Sequence, residues 1–212
     1  MSKYYTNLDC WKTMQKEGYF EKHPRYKGLL AFGKETIPSI GRFMKVEPSY
    51  NVIILGCGYG REVLQLAPHV KHVYGIDVNS TIINKATTFT KKHSVENFTG
   101  YTVEEWERDI PEGIDLVYSM AVVQHLSRDI VLDYFKKLPK KLAPRGTMVI
   151  QFLEKFTDIY KDPDNRLYEP QVSWTKDEIG ELATTCGLEV EIKTIEATEI
   201  AVWHWGCFRR GL

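Results

Sequence analysis

The sequence has no excess charge of either sign and no long apolar run. Its 28 lysines and arginines balance 28 aspartates and glutamates, and a chain with no overall basic field is a poor binder of polyanions. We therefore expect no nucleic-acid partner. No segment approaches the roughly 18 consecutive apolar residues of a membrane-spanning helix, and residues 1–5 do not resemble the start of a signal peptide. We expect no membrane partner, a cytoplasmic location, and a monomer or a homodimer.

Cysteine is also scarce, and its spacing excludes two kinds of stabilising site. The four cysteines are scattered, with no C-x-x-C pair and no cluster of histidines and cysteines at zinc spacing. A disulfide framework and a structural zinc site are therefore excluded, and we expect reduced thiols. The length of 212 residues is typical of one domain with a sizeable core.

The most informative feature that is present lies at residues 52–61. An apolar run, Val52–Leu55, ends at three alternate glycines, Gly56, Gly58 and Gly60. The run is typical of a strand buried on both faces. Helix formers follow from Arg61, so the unit is a strand, a glycine turn and a helix. Glycines permit a sharp turn and a close ligand, and a helix N-terminus offers free N–H groups.

A second apolar run ends in a carboxylate about 20 residues after the glycine turn. The run starts at His72 and reaches Asp77, which places an acid at the tip of the neighbouring strand. At that position a carboxylate can accept hydrogen bonds from ribose hydroxyls. The turn and the acid together favour a nucleotide-like ligand.

The remaining pattern predicts strands that alternate with helices, which is typical of a parallel sheet. Helices are expected at 6–17, 28–45 (interrupted near Pro38), 61–67, 80–93, 127–142 and 175–185, and further strands at 97–103, 114–120, 147–153, 188–195 and 200–209. The last two strands are joined by a short link, so they must be antiparallel neighbours. We expect one domain, 1–212, with a helical cover at 1–48, a ligand-binding core at 49–153, and a loop, a helix and a terminal hairpin at 154–212.

In order along the chain, these motifs resemble the class I S-adenosylmethionine-dependent methyltransferases. The resemblance rests on Leu55–Gly60, Gly75–Asp77, Ile114–Ser119, Leu142–Gly146 and the final hairpin. It implies an α/β fold with a doubly wound, mostly parallel seven-stranded sheet whose last strand is antiparallel. It also implies the cofactor S-adenosylmethionine, bound across the carboxyl ends of the first strands and released as S-adenosylhomocysteine.

The resemblance assigns roles to residues that follow the strands. The glycine turn would pass under the methionine and ribose, Asp77 would hold the ribose hydroxyls, and residues after the third strand would flank the adenine. The implied cofactor contacts are Gly56, Cys57, Gly58, Gly60, Arg61, Asp77, Val78, Glu104, Glu105, Ser119 and Met120. Metal-dependent members gather carboxylates beyond the fourth strand, where this chain has only the earlier Asp115, so we expect no metal.

The predicted activity is methyl transfer to an oxygen or nitrogen of a small molecule such as a sugar, an amino-acid-derived metabolite or a natural-product intermediate. His125 is the candidate general base, and its alternative role is to cap or pack the helix near Ser127. Arg61 either faces the cofactor carboxylate or forms a surface salt bridge. Candidate substrate contacts are Tyr4, Tyr5, Tyr19, His23, Arg25, Tyr26, Gln124, Arg166 and Tyr168, for which core packing or a solvated loop is the alternative.

Two other functions remain open at this point. A nicotinamide-dependent oxidoreductase shares the glycine turn and the acid, but its fingerprint requires glycine or alanine where Arg61 stands. The other alternative is a non-catalytic protein that binds a nucleotide.

Overall fold

The computed structural model describes Trp11 and residues 33–156, 172–198 and 201–211. The predicted helix at 6–17 lies outside these ranges apart from Trp11. So do eight candidate substrate contacts: Tyr4, Tyr5, Tyr19, His23, Arg25, Tyr26, Arg166 and Tyr168.

Seven strands lie along the described chain, and a helix separates each from the next except for the last two. The strands are β1 (Asn51–Leu55), β2 (His72–Asp77), β3 (Phe98–Thr102), β4 (Ile114–Ser119), β5 (Leu142–Phe156), β6 (Leu188–Thr198) and β7 (Ala201–Arg210). The α-helices are α1 (Thr36–Gly41), α2 (Arg61–Leu66), α3 (Ser80–Lys92), α4 (Trp106–Asp109), α5 (Arg128–Lys141) and α6 (Lys176–Thr185), with 3₁₀ turns at Gly33–Glu35, Ala67–His69 and Val123–His125.

All seven strands form one sheet in the order β3-β2-β1-β4-β5-β7-β6. The pairs among β1 to β5 are parallel, whereas β7 is antiparallel to both β5 and β6. The predicted fold class is confirmed, including the reversed last strand. The strand order changes direction between β1 and β4, and in such sheets a ligand crevice opens at this point, outside the carboxyl ends of the strands.

Helices cover both faces of the sheet, which explains why β1 is apolar without alternation. Ile53 and Leu55 belong to the core beneath α5 and α6, with Phe135 and Ile179 as helix residues. Val52 and Ile54 belong to the opposite core, beneath α1, α2 and α3. Such a strand has no solvent-facing positions in its covered part, so its four buried residues, Val52–Leu55, are all apolar.

The structure differs from the expected elements at two places. Pro38 does not interrupt a long helix but lies in the first turn of α1, where backbone N–H groups have no helical partner and proline is tolerated. β5 is longer than the predicted 147–153 because its start pairs with β4 and its end with β7. Gly146 permits the first contact, since a methyl group on it would lie 2.5 Å from the Ile114 carbonyl oxygen.

The capping box that begins α6 is present as expected. The Thr175 hydroxyl accepts a hydrogen bond from the Glu178 N–H, and the Glu178 carboxylate accepts one from the Thr175 N–H. Within the described ranges, none of the helices has the length and apolar character needed to cross a bilayer.

Candidate functional site

The glycine turn, residues Gly56–Gly60, connects β1 to α2 at the carboxyl edge of the sheet. Its three glycines have φ values of 73° (Gly56), 51° (Gly58) and 90° (Gly60), which lie in the left-handed region that only glycine adopts readily. The N–H groups of Gly56 and Cys57 both donate to the Ile76 carbonyl oxygen, at 2.8 and 3.0 Å. The turn is therefore fixed against the end of β2.

Two of these glycines also allow neighbouring elements to approach closely. A methyl group on Gly56 would overlap Cγ2 of Val122, and one on Gly60 would lie 2.8 Å from Cγ2 of Thr90. Val122 belongs to the segment after β4, and Thr90 belongs to α3. The predicted cofactor residue Gly60 thus packs against α3 and does not line the cleft described below.

Asp77 ends β2 directly beside the glycine turn. Its carboxylate accepts hydrogen bonds of 2.7 Å from the Gly58 N–H and 2.7 Å from the Val78 N–H, one on each oxygen. The residue is buried, and this burial raises its pKa from 3.8 to about 6, while the two backbone hydrogen bonds act in the opposite direction. Each carboxylate oxygen keeps a free lone pair, so Asp77 can still accept hydrogen bonds from two further hydroxyl groups.

The segment after β4 forms another part of the site. The segment Met120–Val122, here called the β4 loop, borders the cleft. Ser119, a predicted cofactor contact, is buried, and its hydroxyl donates to the Leu55 carbonyl oxygen at 3.0 Å. Ser119 thus joins β4 to β1 and is not part of the cleft lining.

His125 ends the short 3₁₀ turn that follows the β4 loop. Its backbone N–H donates to the Val122 carbonyl oxygen at 2.9 Å, and its side chain is 6% exposed. The Trp11 indole N–H donates to the His125 carbonyl oxygen at 3.4 Å, and the two rings meet edge to face with centroids 4.9 Å apart. A tryptophan from the N-terminal part of the chain therefore covers the candidate base.

These elements enclose one cleft of about 860 Å³, measured to include its mouth open to solvent. It is lined by Trp11, Leu55, Gly56, Cys57, Gly58, Tyr59, Arg61, Glu62, Ile76, Asp77, Val78, Val103, Met120, Ala121, Val122, His125, Leu126 and Tyr134. Its lining combines apolar and aromatic side chains with a few polar groups, which is typical of sites for small molecules and cofactors. Eight predicted residues meet here: Gly56, Cys57, Gly58, Arg61, Asp77, Val78, Met120 and His125.

Arg61 and Glu62 form an ion pair at the start of α2, within the cleft lining. Glu62 is a buried carboxylate, and it was not among the predicted site residues. A cation and an anion side by side are complementary to a ligand that carries both an ammonium and a carboxylate group. The ion pair is partly buried in the cleft. It differs in this from the surface salt bridge that was the alternative role of Arg61.

Besides Gly60 and Ser119, three more predicted residues lie outside the cleft lining. The Glu105 carboxylate accepts hydrogen bonds from the Thr102 N–H at 3.0 Å and the Thr102 hydroxyl at 2.8 Å. These bonds cap the turn after β3, and they hold the pKa of Glu105 below its usual value. Glu104 also lies outside the lining. Gln124 is buried, and its Oε1 has no hydrogen-bond partner in the structure as described. Roles of these residues toward a ligand stay predictions.

The cleft lining also includes aromatic and apolar residues that were not among the candidate contacts named above. Trp11, Tyr59 and Tyr134 line the cleft, as do Leu55, Ile76, Val103 and Leu126. The Tyr59 hydroxyl accepts a hydrogen bond of 2.9 Å from the Lys85 ammonium. Burial raises the pKa of Tyr134 well above its ordinary value, so this phenol stays neutral.

Groups of three or more histidine, cysteine or acidic side chains with metal-binding geometry are absent from the described ranges. The Asp115 carboxylate accepts a hydrogen bond of 2.8 Å from the Asn51 N–H. Both residues lie near the amino ends of their strands, at the opposite edge of the sheet from the cleft. The expectation of a metal-independent protein stays a prediction.

Comparisons with known proteins agree with this architecture. Residues 52–146 match a family model described as a methyltransferase domain. The ubiquinone biosynthesis O-methyltransferase of Rickettsia akari (strain Hartford) is 28% identical over 110 residues, which cover 51% of this chain and 42% of that protein. The ribosomal protein L11 methyltransferase of Staphylococcus carnosus (strain TM300) is 26% identical over 145 residues, 65% of this chain and 46% of that protein. The chain thus spans less than half the length of these curated relatives.

A solved structure shares the fold over most of this chain. It is that of Haemonchus contortus phosphoethanolamine N-methyltransferase 2 in complex with phosphomonomethylethanolamine and S-adenosylhomocysteine. The TM-score is 0.69 at 14% identity, covering 91% of this chain and 59% of that chain. The family model spans the glycine turn, Asp77 and β4, which are the elements that form the cleft. Residues 52–146 therefore match a methyltransferase domain, and the chain shares its fold with a solved methyltransferase.

Proposed function

We propose that this protein transfers a methyl group from S-adenosylmethionine to an oxygen or nitrogen atom of a small molecule. The observation that carries the proposal is the single cleft in which the glycine turn, Asp77 and His125 meet. One part of this cleft has the groups that a nucleoside requires. Another part has a side chain that can accept a proton.

The residues present fit the cofactor. Asp77 has spare acceptor capacity for two ribose hydroxyls, and the glycine turn leaves its backbone without side chains at Gly56 and Gly58. The ion pair of Arg61 and Glu62 is complementary to the carboxylate and ammonium of an amino acid. We infer that these residues hold the ribose and the methionine end of the cofactor.

When bound, S-adenosylmethionine supplies a methyl group that its sulfonium already activates, so the protein contributes binding and orientation. The β4 loop and His125 would border the acceptor. A neutral imidazole at His125 would take the proton that a hydroxyl acceptor loses during transfer, or that a neutral amine acceptor loses once it is methylated. Trp11, Val122 and Leu126 supply apolar walls beside this region.

The nature of the cleft supports a small acceptor. Its walls are largely apolar and aromatic, as in most small-molecule sites, and the chain has no net charge to attract a polyanion. One relative is named for ubiquinone biosynthesis and another for a ribosomal protein. A protein acceptor is therefore the second candidate.

Two experiments test the proposal in sequence. Calorimetric titration with S-adenosylmethionine, S-adenosylhomocysteine and NAD should show binding of the first two only, and preferential binding of NAD would instead support an oxidoreductase. The protein is then incubated with S-adenosylmethionine and either phenols, amines and carboxylic acids or a pool of peptides, and released S-adenosylhomocysteine is measured. Release with a small molecule supports the proposal. Release with peptides alone supports a protein acceptor, and binding without release in either pool supports a non-catalytic protein.

A further inference from the structure

The β4 loop contains a residue in an unusual backbone conformation. Ala121 has a φ of 58°, and Ser94, with a φ of 61°, is the other non-glycine residue with positive φ in the described ranges. An alanine in the left-handed region is disfavoured because its Cβ approaches the following carbonyl oxygen. Such residues persist where their surroundings hold them, and they occur often at functional sites.

A hydrogen bond to a side chain of β5 holds this conformation. The Ala121 N–H donates to Oε1 of Gln151 at 3.0 Å, a contact between residues 30 positions apart. Gln151 is fixed in the middle of β5, where its backbone pairs with Trp205 of β7. The acceptor therefore comes from a rigid element, whereas the donor belongs to a loop.

The conformation at Ala121 affects both sides of the cleft. Val122, the next residue, packs directly against the backbone of Gly56 in the glycine turn. The Val122 carbonyl oxygen accepts the backbone hydrogen bond that begins the turn leading to His125. A rotation at Ala121 would thus displace the apolar wall beside the glycine turn and the segment that places the imidazole.

From these contacts we propose that Gln151 is a positioning residue that holds the β4 loop in the conformation needed to bind the cofactor. Its side chain is absent from the cleft lining, so it acts through Ala121. The inference rests on the proposed function only in taking the cleft as the cofactor site. The amide can be replaced without altering any residue that lines the cleft.

The test compares Gln151→Leu with Gln151→Glu in the full chain. Leucine removes the acceptor, so the peptide covering 119–126 should exchange its amide hydrogens faster, and affinity for S-adenosylhomocysteine should fall by up to about tenfold, the value of one hydrogen bond. Glutamate keeps an acceptor oxygen in place and should retain the affinity within about twofold.

A double variant separates loop positioning from general stability. In Gln151→Leu/Ala121→Gly, glycine adopts the left-handed conformation without the alanine penalty, so most of the lost affinity should return. The matched control, Gln151→Leu/Ser94→Gly, relieves the other positive φ, which lies outside the cleft, and should restore nothing.

The proposal is overturned if Gln151→Leu leaves both amide exchange and affinity unchanged, or if Ser94→Gly restores affinity as well as Ala121→Gly does. Amide exchange needs no ligand. If the wild-type protein bound no S-adenosylhomocysteine, the proposed function would fail. The positioning role would still be tested by amide exchange in Gln151→Leu: unchanged exchange would count against it, and faster exchange would support it.

Discussion

The carboxylate of Asp77 accepts a 2.7 Å hydrogen bond from the backbone N–H of Gly58, which joins the end of β2 to the glycine turn after β1. The second oxygen of the same carboxylate binds the Val78 N–H at 2.7 Å. Asp77 therefore has a structural task before any ligand arrives. It fixes the turn in the position where a ribose would contact both the glycine turn and the carboxylate.

Replacing Asp77 with asparagine tests this dual task. An amide has one oxygen, so one of the two backbone N–H groups loses its acceptor, and a ribose loses a charged acceptor. We expect affinity for S-adenosylhomocysteine to fall at least about tenfold by calorimetry. Asp115→Asn is the matched control, because this carboxylate also accepts a backbone N–H, at 2.8 Å, but at the other edge of the sheet. Equal losses in both variants would contradict a specific role for Asp77.

The pKa of Asp77 predicts opposite effects of pH on stability and on binding. Burial raises this pKa from 3.8 to about 6, so the folded protein holds the proton more tightly than the unfolded chain does. The contribution of Asp77 to the free energy of unfolding is thus largest below the unfolded pKa and is lost as pH rises through about 6.

Ribose hydroxyls that donate to the carboxylate favour its ionised form. Affinity for S-adenosylhomocysteine should therefore fall as pH drops below about 6, by about tenfold for each unit well below the pKa. Calorimetric titrations across this range check the slope. In Asp77→Asn this dependence of the affinity on pH should disappear. A wild-type affinity that rises on acidification would show that the ligand does not use the ionised carboxylate.

Gly56→Ala combines two penalties that a second glycine separates. Gly56 has a φ of 73° and lies against Val122, whereas Gly113 has a φ of 84° with no atom within 4 Å of the added methyl group. Gly113→Ala should therefore cost about 1–2 kcal/mol of unfolding free energy for backbone strain alone. Gly56→Ala should cost about 2–5 kcal/mol, because overlap with Val122 adds about 1–3 kcal/mol. Urea denaturation measures both, and equal values would mean that the β4 loop moves aside freely.

The parts of the structure that the sequence predicted are those controlled by local patterns. The apolar run of β1 and the capping box of α6 depend on neighbouring residues alone, so their positions could be predicted closely. Asp77 and the glycine turn could be predicted to lie close together, because the carboxyl ends of adjacent parallel strands meet at one edge of the sheet. Pro38 was misjudged because its effect depends on whether it falls in the first turn of a helix.

The missed site residues have side chains whose position depends on tertiary packing. Tyr134 belongs to the apolar face of α5, and its pattern is the same as that of a core residue. Glu62 follows Arg61 at the start of α2, where an acid is common for its effect on the helix dipole. Its burial depends on tertiary packing, since its charge lies close enough to Asp77 of β2 and Tyr118 of β4, both distant in sequence, to raise their pKa values. A charged pair beside a glycine turn is the signal in the sequence, and only its arginine was predicted to contact the cofactor.

His125→Gln tests whether the imidazole accepts a proton or only packs. Glutamine keeps a polar side chain of similar length but cannot take up a proton at neutral pH. With an acceptor found by the panel, turnover should fall about 100-fold or more, while affinity for S-adenosylhomocysteine stays within about twofold because the ribose and methionine contacts are elsewhere. The wild-type rate should rise with pH as the imidazole loses its proton, and this dependence should be absent in the variant.

Two controls separate catalysis from packing. His72→Gln changes a histidine on β2 whose ring nitrogen bonds the Thr99 hydroxyl at 3.0 Å, outside the cleft lining, and turnover should be unchanged. Trp11→Phe keeps an aromatic ring but removes the indole N–H that binds the His125 carbonyl oxygen. If His125 acts only as a packing surface for Trp11, His125→Gln and Trp11→Phe should lower turnover equally and leave its pH dependence intact. A general base requires that the pH dependence disappear in His125→Gln and persist in Trp11→Phe, because the phenylalanine variant still has the group that takes the proton.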